Sequence, residues 1–93
     1  MLSLADPIIS ASPNQVSGVL NGETVLLSST TNLYYGLDPV ASRIWKLIQE
    51  PKRISAICDQ VALEFDVDPV VCRRDIRELI SKLLEADLVK LED

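Results

Sequence analysis

Ninety-three residues with 47% hydrophobic content can build one domain around one small core, and leave little room for a deep catalytic pocket. The chain has no histidine, which removes the commonest general base and metal ligand, and its formal net charge of −5 argues against a general polyanion binder. Charge is also unevenly placed: all nine Lys and Arg and twelve of the fourteen acids follow residue 37, leaving Asp6 and Glu23 before it.

Residues 1–14, "MLSLADPIISASPN", lack the basic start and long apolar run of a signal peptide. Pro7, Pro13 and small polar residues break any periodic pattern there, so a flexible arm is expected, with the folded domain over 15–93. From Gln15 the chain reads as a β-meander. "QVSGVL" and "ETVLLS" flank Asn21-Gly22, a strong hairpin signal because a type I′ turn needs positive φ at both central residues. The run Val25-Leu26-Leu27 is far too short to span a membrane, and a soluble, cytoplasmic protein is expected. "SSTTN" is a second polar turn, leading to a third strand over Leu33–Leu37.

Three helices follow. Asp38 suits an N-cap and Pro39 the first helical position, where no N–H is needed. Val40, Ile44, Leu47 and Ile48 form an apolar stripe beside Trp45, and Pro51 stops the helix. Ser55 can cap the second helix, whose Ile57, Cys58, Val61, Ala62 and Phe65 recur at helical spacing. Asp68-Pro69 repeats the Asp-Pro start for a third helix running to about Ala86. Leu88, Val89 and Leu91 suit a last short strand or packed tail. Cys58 and Cys72 form no C-x-x-C, have no His partner and occupy apolar helix positions, so buried structural thiols are expected and no metal site or cofactor is implied. The fold class is α+β: a three-stranded antiparallel sheet on a three-helix, winged-helix-like bundle.

The third strand poses the functional question. Edge strands are normally blunted by Lys, Pro, a bulge or a covering element. Leu33-Tyr34-Tyr35-Gly36-Leu37 has no Lys and no Pro. Alternation sets Leu33, Tyr35 and Leu37 on one face and Asn32, Tyr34 and Gly36 on the other, without saying which tyrosine points inward. Three readings remain open: a helix of the same chain covers this edge, an extended peptide is added to it, or a second copy pairs with it. For a peptide, the third helix would supply the opposing wall. At about 100° per residue its core face is Cys72, Ile76, Leu79, Ile80, Leu83 and Ala86. A flank of Val70, Arg73, Arg77 and Leu84 runs beside it, with Arg74 further out. That flank suits an acidic amphipathic peptide. It also suits a solvated face pairing with Asp75 and Glu78.

The segment "NLYYGLDPVASRIWKLI", with "VLLSSTTNLYYGLD" before it and "DVDPVVCRRDIRELISKLLEADLV" after it, resembles the PqqD-like family, which includes the recognition elements for precursors of ribosomally made, post-translationally modified peptides (RiPPs). The likeness covers about residues 15–91. It is strongest to the stand-alone recognition proteins of lasso peptide biosynthesis. The resemblance implies a peptide chaperone with no catalytic residue, which binds a precursor's leader as an added antiparallel strand between its third strand and third helix. It implies as partners the leader peptide, a separate cysteine-protease-like leader peptidase and an ATP-dependent macrocyclase. Carried over by position, the peptide-binding residues are Asn32, Leu33, Tyr34, Tyr35, Gly36 and Leu37 on the strand. Those of the wall are Val70, Arg73, Arg74, Ile76, Arg77 and Ile80. The alternatives are pyrroloquinoline quinone or another RiPP pathway and, more remotely, a winged-helix DNA-binding protein.

Overall fold

The computed structural model describes residues 6–92. It is an α+β fold of two three-stranded antiparallel sheets and three helices: β1 (Ile8–Ala11), β2 (Gln15–Leu20), β3 (Glu23–Ser28), β4 (Tyr34–Leu37), α1 (Pro39–Leu47), β5 (Lys52–Arg53), α2 (Ile54–Phe65), α3 (Pro69–Glu85) and β6 (Val89–Glu92). One sheet is the expected meander, in the order β2-β3-β4. Its first turn has φ 53° at Asn21 and 82° at Gly22, as the two-residue hairpin requires.

The second sheet, β5-β1-β6, corrects the sequence reading of a loose arm. β1 is its central strand, pairing Ile9 with Lys52 on one side and Leu91 on the other. Ile9 is fully buried, as are Pro7 and Ser12. The four residues of β1 have no partner nearby in sequence, and the strand exists because partners some 40 and 80 residues away close on both its edges. Residues 1–5 of the expected arm, and Asp93 at the far end of the expected domain, lie outside the described residues.

Both Asp-Pro starts cap as expected. Asp38 Oδ1 accepts from the Ala41 N–H at 2.7 Å, and Asp68 Oδ1 accepts from Val70 and Val71 N–H at 2.8 and 3.3 Å. The second helix starts differently: Ser55 lies inside α2, and its N–H and hydroxyl donate to the two oxygens of Asp6, each at 2.9 Å. A carboxylate from the N-terminal segment thus does the work of the cap. The core between the sheets and helices is aliphatic, built on Ile9, Leu26, Ile44, Ile48, Ile54, Ile57, Ile80 and Leu88. Cys58 and Cys72 are free and buried, and burial pushes both thiols up.

Three carboxylates are held below their ordinary values. Hydrogen bonds from Ser55 lower Asp6, those from Thr30 and then Asn14 lower Asp87, and that from Arg43 lowers Glu64. Because the folded values lie below the unfolded ones, the unfolded chain binds more protons in the acid range. The associated stability is present above the ordinary values of 3.8 and 4.5 and is lost as pH falls through the folded values. The unfolding temperature is therefore expected to hold between about pH 7 and 5 and to drop below about pH 4. A Tm rising on acidification would contradict this assignment.

Candidate functional site

β4 pairs with β3 on one side, with Tyr34 opposite Leu27 and Tyr35 opposite Leu26. On its other side the described residues provide no strand. The outward groups follow from the pairing. The Ser28 N–H donates to the Leu33 carbonyl at 2.9 Å, which makes 28 and 33 a hydrogen-bonded pair. Alternation then turns Tyr35 and Leu37 toward β3, and points the N–H and C=O of Tyr34 and Gly36 to the vacant side. The edge therefore presents two donors and two acceptors. Gly36 is exposed, and a Cβ built on it meets nothing within 4 Å.

The tyrosines are now assigned. Tyr35 points inward and packs against the core, on the face shared with the buried Leu26 and Leu37. Tyr34 is 74% exposed on the outer face, in a cross-strand row with Leu27 and Val16.

Beside the vacant edge lies an open cleft of about 530 Å³. Thr31, Leu33, Tyr35, Gly36 and Leu37 line one side, and Leu79, Lys82, Leu83, Glu85 and Ala86 of α3 line the other. One end is tied shut. Ser28 Oγ donates to the Ala86 carbonyl at 2.7 Å, while Asp87 accepts from Thr30 Oγ1 at 2.7 Å and Asn14 Nδ2 at 3.0 Å. These bonds anchor the end of α3 to the turn before β4 and leave the space between them open. A second pocket of about 290 Å³ lies between α1 and α3 and shares Leu79 with the cleft. Its walls include Val40, Ala41, Ile44, Phe65, Val71 and Cys72.

Of the strand residues expected to bind peptide, Leu33, Tyr35, Gly36 and Leu37 line the cleft, and Asn32 and Tyr34 are exposed next to them. The opposing wall is different. Ile80 is fully buried in the core, and Ile76 reaches the α1–α3 pocket instead of the cleft. Val70, Arg73, Arg74 and Arg77 line neither cavity. Arg73 and Arg77 are near enough to Cys58 on α2 to act on its thiol, and Arg77 also acts on Asp6, which places them on the α2 side of α3. Along α3, Val71 and Asp75 line the α1–α3 pocket, Leu79 lines both cavities, and Lys82 lines the cleft beside β4, at helical spacing of four, four and three residues. The apolar stripe of a helix has two flanks, and its periodicity does not distinguish which one meets the sheet.

Three comparisons bear on this geometry. The family model described as coenzyme PQQ synthesis protein D (PqqD) matches residues 23–89. A solved structure of TbiB1 in complex with the TbiA(beta) leader peptide is 38% identical, with TM-score 0.78 over 87% of this chain and 94% of that one. A lasso peptide synthetase B1 complexed with the leader peptide is 20% identical, with TM-score 0.77 over 88% of this chain and 96% of that one, a likeness of fold. No curated protein matches the chain at a significant level.

Proposed function

This chain belongs to the PqqD family, and we propose that it captures the leader segment of a ribosomally made precursor peptide by adding it as a strand to β4, against α3. The observation that carries this reading is the vacant backbone edge at Tyr34 and Gly36 with an apolar cleft alongside. An exposed edge of this kind is a template for one more strand. About four ladder bonds, each worth roughly 1 kcal/mol net, do not by themselves cover the cost of ordering and associating a flexible peptide. Apolar anchors at about 1.5–3 kcal/mol each make up the difference, and Leu33, Tyr35, Leu79 and Leu83 offer them a surface.

The 38% identity to TbiB1, whose structure holds a leader peptide, supports leader binding. The resemblance of the sequence to the stand-alone recognition proteins of lasso peptide biosynthesis favours that pathway over the quinone pathway for which the family model is described. In that setting the domain acts in the cytoplasm, holds the precursor and delivers it to a separate leader peptidase and an ATP-dependent macrocyclase. No covalent step is assigned to the chain itself. Among the described residues no helix is long and apolar enough to cross a membrane.

Amide exchange with and without the leader of the encoded precursor tests the proposal. The Tyr34 and Gly36 amides are expected to become slow only in the complex, while Ser17 and Val19, outward-facing on the far edge strand β2, stay fast. Arg73→Glu is expected to leave affinity unchanged, since its flank faces away from the cleft. Protection confined to β2, or loss of binding in Arg73→Glu, would move the site elsewhere.

A further inference from the structure

Two features meet at one end of the cleft. A guest strand antiparallel to β4 enters at the Leu37 end and leaves at the Leu33 end. That exit is the end tied shut, by the buried Ser28 hydroxyl on the Ala86 carbonyl and by Thr30 on Asp87, each at 2.7 Å. A chain leaving the added strand therefore cannot continue between β4 and α3, and has to come out over the surface. On the helix side it meets the exposed charges of Lys82 and Glu85. On the other side it meets the outer face of the meander. The face that an antiparallel sheet turns to water is ordinarily polar. Here, among the described residues, its one charge is Glu23 at the hairpin tip. The outer row nearest the tied end is Val16, Leu27 and Tyr34, which are 64%, 37% and 74% exposed. Glu23 lies four residues back along β3 from Leu27, about 14 Å away.

We propose that the guest segment immediately after the added strand turns onto this outer face and lays a large apolar side chain on the Val16–Leu27–Tyr34 row. The inference rests on the strand-addition reading and extends the recognised sequence past the strand. Tyr34 belongs to both surfaces: its backbone groups face the guest, and its side chain lies in the row. The two surfaces are therefore continuous. Beside the row, Gly18 and Gly36 stand on either side of Val25, and a Cβ built on either glycine meets nothing within 4 Å. The space next to the row is thus open to a bulky side chain. Nothing in the row can pair a charge, and burying exposed Val and Leu surface favours an apolar occupant.

The test compares two peptides from the leader of the encoded precursor. One ends at the last residue whose amide is protected in the complex, and the other continues for four more. The longer peptide is expected to bind about threefold to tenfold tighter, the gain from partly burying one large apolar side chain. Serine at one of the four added positions is expected to remove that gain. Val16→Thr combined with Leu27→Thr keeps residues that suit a strand. The pair is expected to bring the longer peptide to the affinity of the shorter one, whose own binding stays unchanged. Equal binding of the two peptides by the parent protein would overturn the exit path and leave strand addition standing. A gain that survives the paired substitution would also overturn it, because the added residues would then lie along α3. So would an equal loss for both peptides, which would place the effect in the sheet itself. Failure of both peptides to bind the parent would remove both readings together.

Discussion

Gly36→Pro is expected to weaken leader binding by about 2 kcal/mol or more, roughly thirtyfold, without unfolding the domain. The Gly36 N–H points away from β3, so proline removes a donor from the vacant edge and no bond from the β3–β4 ladder. Gly36 has negative φ and open space around it, and the preceding Tyr35 is already extended, as a residue before proline prefers. The ring also occupies the position where a guest backbone must approach. The matched control is Ser17→Pro on the opposite edge, whose N–H likewise points outward but which does not line the cleft. Calorimetric titration of both variants, with thermal unfolding as the check on folding, decides the matter. Equal loss in the two variants, or none in Gly36→Pro, would refute strand addition at β4.

Ile9→Ala is expected to destabilise the domain by about 2–5 kcal/mol, the range for truncating a fully buried aliphatic side chain. That is a large share of the roughly 5–15 kcal/mol that holds a small domain together. A residue in a flexible arm would give almost nothing, so the result separates the two descriptions of the N-terminal segment. The loss should appear as a lower denaturation midpoint in urea with an unchanged slope. Leader affinity, measured where the variant is still folded, should be close to that of the parent, because β1 lies in the other sheet. A change in midpoint within experimental error would restore the arm.

The elements whose cause is local are legible in the residues. Asn21-Gly22 demands its turn through positive φ, Asp38-Pro39 and Asp68-Pro69 begin their helices through a carboxylate cap and a missing N–H, and Leu33–Leu37 declares an unblunted edge by the charges it lacks. These features determined the meander, the helices, the core face of α3 and half of the candidate site. Three matters were decided only when the chain closed on itself. Strand pleat fixes that Tyr34 and Tyr35 face opposite ways, but the phase comes from Leu26 and Leu37 packing beneath Tyr35. Helical period marks both flanks of α3 alike, and the docking of α1 and α2 turns Leu79 and Lys82 toward β4 and Arg73 and Arg77 away. Ile8–Ala11 carries no strand signal of its own, since its order is supplied by β5 and β6 and by the burial of Ile9. Period and capping act within a few residues. The choice of neighbour depends on loop closures across most of the chain, and those determine which surface of each element meets which.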